Sequence, residues 1–134
     1  MIVNPYQQYQ RVQGETATGG QVIVMLYGGA IRFLGRAEMH RDNGDLNAFR
    51  ADLHRAQDIL VELAGGLDLN SGEVANSLFS LYRYMIDRIG EADFKRDQQA
   101  IPDTVRLLRE LKGTWEEAIA SLESNLAARP AAVA

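Results

Sequence analysis

Apolar residues recur every three or four positions over most of the chain, which is the spacing of one face of an α-helix. The pattern predicts four amphipathic helices, at about residues 21–41, 46–63 and 73–93 and from about 97 or 98 to 126. No segment shows the strict alternation of a half-buried strand. The predicted core faces are, in order, Val22, Leu26, Ala30, Phe33 and Ala37; Leu46, Phe49, Leu53, Ala56, Leu60 and Leu63; Val74, Leu78, Leu81, Tyr82, Met85 and Ile89; and Ile101, Val105, Leu108, Leu111, Trp115, Ile119, Leu122 and Leu126.

Short polar connections separate these segments. Asp42-Asn43-Gly44-Asp45 has a typical helix-ending glycine followed by an N-cap aspartate, and Gly65-Gly66 ends the second segment. Ser71 is the predicted N-cap of the third, and Pro102 is tolerated in the first turn of the fourth. Short turns favour an all-α, antiparallel up-down four-helix bundle over residues 20–127. Residues 1–19 are predicted to be a short helical or extended N-terminal arm, and residues 128–134 a disordered tail.

Composition narrows the function classes. The 134 residues carry a net charge of −4, which disfavours a nucleic-acid binder with a basic face. The absence of cysteine excludes disulfides and thiolate chemistry. No apolar run is long enough to span a bilayer and no secretory signal is evident, so we expect a cytoplasmic protein with no direct membrane insertion.

Candidate catalytic chemistry is sparse. His40 and His54 are the two histidines, and neither has the glutamate three residues earlier that a ferritin-like di-metal bundle requires. His54 and Asp58 have i, i+4 spacing and are interpreted as a pair on a helix surface. No phosphate-binding glycine loop occurs. We therefore predict no enzyme, no cofactor and no metal, and a carboxylate-metal bundle enzyme is the remote alternative.

Two segments have more apolar residues than one core face needs. Residues 22–27 are apolar on every side of a helix, and residues 78–86 are nearly so. Gly28 and Gly29 add to this, because glycine inside a helix is unfavourable unless another backbone passes close by. The excess fits either a broad core or an apolar groove for a partner helix or extended peptide.

Five short motifs carry a resemblance to a known family. They are Asn4-Pro5-Tyr6-Gln7-Gln8-Tyr9, Met25-Leu26-Tyr27-Gly28-Gly29-Ala30-Ile31, Ala56-Gln57-Asp58-Ile59-Leu60, Leu78-Phe79-Ser80-Leu81-Tyr82-Arg83-Tyr84-Met85 followed by Arg88, and Thr114-Trp115-Glu116-Glu117-Ala118. In this order and spacing they resemble the flagellar secretion chaperone family. The resemblance implies a cytosolic chaperone that binds the C-terminal segment of flagellin, prevents its premature polymerisation and docks on the cytosolic domain of the flagellar export gate. A four-helix adaptor for another secreted client is the nearest alternative.

The resemblance also supplies candidate partner-binding residues. Tyr6 and Tyr9 match N-terminal positions associated with docking to the export gate and with covering the client groove. The other candidates lie on the motifs of the first and third helices: Tyr27, Gly28, Gly29, Leu78, Leu81, Tyr82 and Met85. The family's usual Ala-Ser-Pro-Glu is replaced by Ala17-Thr18-Gly19-Gly20, so we expect a less defined start to the first helix.

Overall fold

Four long helices account for most of the described structure. The computed structural model describes residues 19–128. Its helices are α1 (Gly20–Asp42), α2 (Leu46–Gly65), α3 (Glu73–Phe94) and α4 (Ala100–Ala128), and a 3-10 helix at Leu69–Ser71 precedes α3. Each boundary lies within one helical turn of its predicted position. The predicted arm and tail fall mainly outside the described residues.

The turn between α1 and α2 forms as its residues predict. Gly44 has a φ of +77°, a backbone conformation that glycine adopts at little cost. Asp45 then caps α2, because its Oδ1 accepts a hydrogen bond from the Ala48 N–H at 3.1 Å. The predicted cap of α3 is wrong, since Gly72 occupies that position with a φ of +126°. The Ser71 hydroxyl instead donates to the Asp68 carbonyl at 2.7 Å, which holds the preceding 3-10 turn.

Each helix packs against two neighbours. Helix α1 lies against α2 and α4, and α3 lies against the same two helices on the opposite side. The pairs are antiparallel, as shown where Gly29 and Arg36 of α1 face Ile59 and Asp52 of α2 respectively. The prediction of an all-α, four-helix bundle is confirmed.

The core lies partly on different faces from those predicted. On α1 the buried apolar residues are Ile23, Tyr27, Ala30, Leu34 and Ala37, and on α3 they are Ala75, Tyr82, Met85, Ile89 and Ala92. Val22 is 45% exposed, and Leu26 and Phe33 are only half-buried, so the buried face of α1 shares only Ala30 and Ala37 with the predicted one. Val74, Leu46 and Leu126 are exposed as well. Residues 22–27 are apolar all round, and periodicity therefore could not select the side that faces both neighbours.

An ionic cluster holds the corner between α3 and α4. Arg88, with a side chain only 13% exposed, donates to Glu91 at 3.2 Å, to Asp103 at 2.9 Å and also to Asp97. These hydrogen bonds from the guanidinium lower the pKa of Asp97 and of Asp103. One arginine therefore ties the end of α3 to the loop and to the first turn of α4.

Candidate binding surface

Three of the predicted partner-binding residues lie in the core. Tyr27, Tyr82 and Met85 have no exposed area, and the hydroxyl oxygens of the two tyrosines are 2.5 Å apart. The Trp115 indole N–H, which can only donate, is hydrogen-bonded to the Tyr27 hydroxyl. Burial, followed by the neighbouring Tyr82, raises the pKa of Tyr27. Tyr27, Tyr82 and Trp115 therefore join α1, α3 and α4 across the bundle. A ligand on the surface of this fold does not reach the buried Tyr27, Tyr82 or Met85.

The two central glycines of α1 face different neighbours. Gly29 is buried against α2, where an added Cβ would lie 3.3 Å from Cδ1 of Ile59. Gly28 is half-buried on the α4 side, where an added Cβ would lie 3.7 Å from Cε of Lys112. Close approach of α2 therefore accounts for Gly29, whereas only flexible side chains lie near Gly28.

Leu78 and Leu81 remain accessible. Both are half-buried at the edge of the core, as are Leu107 and Leu111 of α4. The contact between Arg88 and Asp103 sets the register of these antiparallel helices and places Leu81 level with the stretch from Leu107 to Leu111. We call these four leucines the α3–α4 seam.

An exposed apolar strip follows one edge of α1. Val22, Met25, Leu26 and Phe33 recur at helical spacing on either side of Gly29, and Met25 is 71% exposed. The strip borders α2, because the Arg55 guanidinium lies 5.6 Å from the centroid of the Phe33 ring. Sequence reasoning detected the apolar excess in this helix but assigned Val22, Leu26 and Phe33 to the core. We call these four residues the α1 strip.

Charged groups on the bundle form structural pairs. Asp52 is almost fully buried, with Nε2 of His40 at 3.4 Å and Nε of Arg36 at 3.8 Å from its Oδ2. The histidine that approaches a carboxylate here is therefore His40. The sequence spacing predicts a pair of His54 and Asp58 instead. Residues 19–128 hold no group of three or more histidine, aspartate or glutamate side chains arranged to bind a metal ion. None of the helices described for this chain has the length and apolarity needed to cross a membrane.

Comparison with known proteins identifies the family. A model of the family described as flagellar protein FliS matches residues 2–122. The chain belongs to the FliS family. The match includes Tyr6 and Tyr9, which precede the described residues, and it extends through all four helices.

Individual FliS proteins are similar over most of their length. The flagellar secretion chaperone FliS of Bacillus subtilis is 32% identical over 120 residues, which cover 90% of each chain. The protein of the same name from Salmonella typhimurium is 36% identical over 104 residues, covering 76% of this chain and 77% of its own. The Vibrio cholerae protein is 32% identical over 118 residues, with 83% and 85% coverage. These relatives are named as chaperones, and the chain is accordingly a flagellar export chaperone and not an enzyme.

Proposed function

We propose that this chain binds the C-terminal segment of flagellin in the cytoplasm, keeps that segment from polymerising and delivers it to the cytosolic domain of the flagellar export gate. Membership of the FliS family and the names of its relatives as flagellar secretion chaperones support a secreted flagellar client. The identity of the client and of its receptor comes from the resemblance of the sequence motifs.

The observation that carries the proposal is the exposed apolar surface of α1. Folding leaves Met25 71% exposed and Val22 45% exposed, beside the half-buried Leu26 and Phe33. A contiguous apolar surface of this kind is typical of a binding site for a protein partner. An amphipathic client segment that is disordered alone gains order when it buries its own apolar side chains on a preformed surface.

The α3–α4 seam offers a second place for the same client. Leu78 and Leu81 stand beside Leu107 and Leu111, and all four retain partial exposure. The seam lies between α3 and α4, whereas the α1 strip lies where α1 borders α2. The two surfaces are therefore on different sides of the bundle. A client that contacts both surfaces must therefore wrap around the bundle in an extended path.

A matched pair of methionine variants tests the α1 strip. Met25→Gln removes an apolar contact from a side chain that is already exposed, so the fold is expected to be unaffected. The apolar area that Met25 would bury in the complex is then lost. Binding of the last forty or so residues of the cognate flagellin is therefore expected to weaken about fivefold. Isothermal titration calorimetry on the full chain measures this change. Met39→Gln is the control, because Met39 is 52% exposed on the same helix but lies outside the strip.

Equal affinity of the Met25→Gln and Met39→Gln variants would show that the α1 strip does not bind the client. Failure of the unmodified chain to bind the flagellin segment, or to protect it from protease, would overturn the proposed client. Tight binding of an unrelated secreted protein in the same titration would instead favour an adaptor for another substrate.

Docking to the export gate is proposed to involve Tyr6 and Tyr9. Their replacement by alanine together is expected to weaken binding to the cytosolic gate domain more than binding to flagellin. Both affinities are measured with the same protein preparation. A similar loss for both partners, or no loss for either, contradicts separate roles for the two tyrosines.

A further inference from the structure

A cavity lies at the end of the bundle that holds the α1–α2 turn. Its volume is about 350 Å³, and it lies where the C-terminal ends of α1 and α3 meet the first turn of α2. This size is within the roughly 300–1,000 Å³ of typical ligand sites. Its apolar lining is Leu46, Phe49 and Ala92, and its charged lining is Arg41, Arg50, Arg96 and Asp93.

The cavity is positively charged on a protein whose net charge is −4. Three arginines line it against a single carboxylate. That carboxylate, Asp93, is already paired with Arg50. The Arg50 Nε lies 3.1 Å from Oδ1 and 3.0 Å from Oδ2 of Asp93. Arg41 and Arg96 therefore remain to determine the charge of the site.

Neither of these arginines is well neutralised. Arg41 approaches Glu38 only to 3.8 Å and stacks over the Phe49 ring at 5.6 Å. Nη1 of Arg41 is buried and has no hydrogen-bond acceptor among residues 19–128. Arg96 is exposed and has no ion pair within the same range, and its φ of +52° places it in the left-handed region. A buried guanidinium nitrogen without a hydrogen bond is costly, so Arg41 is an incompletely paired cation beside the cavity.

We infer that this cavity binds a carboxylate group of a peptide, together with the apolar side chain next to it. Arg41 and Arg96 donate to the carboxylate, since guanidinium groups bind carboxylates through paired, charge-assisted hydrogen bonds. Leu46, which is 50% exposed, provides the apolar surface for the neighbouring side chain. The inference goes beyond the proposed function and does not depend on flagellin being the client.

Short peptides added to the full chain test the inference. The probes are acetyl-Leu-Glu-Leu-amide, its glutamine counterpart, and the glutamine peptide with a free C-terminus, and inorganic phosphate is a separate probe. We expect the glutamate peptide to shift the NMR signals of the Arg41 and Arg96 side chains. Loss of the carboxylate should weaken binding about tenfold, as for a charge-assisted hydrogen-bonded pair. The free C-terminus distinguishes a terminal carboxylate from that of a side chain, and binding of either peptide supports the inference.

Arginine variants localise the effect. Arg96→Gln is expected to weaken binding of the glutamate peptide about tenfold. Arg83→Gln is the control, because Arg83 is an exposed arginine of α3 that does not line the cavity. Circular dichroism on both variants checks that the helices are intact.

Four results would overturn the inference. They are equal binding of the glutamate and amidated glutamine peptides, phosphate binding as tight as peptide binding, equal losses in the Arg96→Gln and Arg83→Gln variants, and unchanged affinity in Arg96→Gln. In the last case the arginines serve only to stabilise the negative ends of α1 and α3. A change in flagellin binding is not needed for any of these outcomes.

Discussion

The buried tyrosine pair leads to a sharp prediction about stability. Tyr27→Phe removes a hydroxyl that contacts the Tyr82 hydroxyl at 2.5 Å and also accepts from the Trp115 indole. The substitution loses a buried hydrogen bond and leaves the Trp115 N–H, on a residue only 7% exposed, without that acceptor. Together these changes should lower the free energy of unfolding by roughly 2–4 kcal/mol. Tyr82→Phe loses the same hydrogen bond between the two hydroxyls, a contribution of about 1 kcal/mol, while Tyr27 keeps its bond to Trp115.

Urea unfolding followed by circular dichroism measures the two variants. The expected result is a lower midpoint with an unchanged slope, since the exposed surface of the unfolded chain does not change. In thermal unfolding each 1 kcal/mol corresponds to roughly 3–5 °C for a chain of this size. Tyr84→Phe is the control, because Tyr84 is 51% exposed on the same helix as Tyr82. The double variant Tyr27→Phe with Tyr82→Phe should lose less stability than the sum of the single variants.

Equal midpoints for the Tyr27→Phe and Tyr84→Phe variants would refute this account of the core. The raised pKa of Tyr27 gives a second test in alkali. Because the folded state holds the proton more tightly than the unfolded state, the stabilising contribution is complete below about pH 10 and is lost above it. The Tyr27→Phe variant should therefore lose less stability than the unmodified chain when the pH is raised beyond that value.

Two further predictions concern α1 and the α3–α4 corner. Gly28→Ala should raise the free energy of unfolding by up to about 1 kcal/mol, because its neighbours are flexible side chains. Gly29→Ala should gain less, since Ile59 must move, and equal gains in urea unfolding would contradict the close approach of α2. Arg88→Gln should destabilise the chain at neutral pH, because Asp97 and Asp103 lose the hydrogen bonds from Arg88 that lower their pKa values. A lowered carboxyl pKa contributes stability above the ordinary aspartate value of about 3.9, and this contribution is lost as the pH falls. The difference in the free energy of unfolding between Arg88→Gln and the unmodified chain should therefore shrink between about pH 5 and pH 2. A difference that stays constant with pH would contradict the stabilising role of the ionic cluster.

Helix α2 shows how much the sequence alone determines. Its apolar residues occupy a single face, and five of the six predicted core positions, from Phe49 to Leu63, are buried. The turn residues Gly44 and Asp45 likewise act as their chemistry predicts. Local patterns and caps suffice here, because one side of the helix is apolar and the other is polar.

Tertiary packing decided which apolar residues of α1 and α3 are available to a partner. The family motifs marked Tyr27 and Tyr82 together with Leu78 and Leu81, but only the arrangement of four helices buries the tyrosines and leaves the leucines at a seam. Motif identity does not distinguish these roles, because a residue in an all-apolar segment fits either the core or a groove. Exposure is settled by which neighbour lies on each side of the helix.

Local sequence patterns do not predict the arginine-lined cavity. Arg41, Arg50 and Arg96 belong to three segments of the chain, and each resembles an ordinary charged residue at the end of a helix. Folding brings them together around one cavity, because the antiparallel arrangement places the ends of α1 and α3 beside the start of α2. The sequence by itself determined four helices, their turns and an apolar excess. The tertiary structure decided which residues are in the core, which are exposed and which distant charges meet, because each of these depends on contacts between helices.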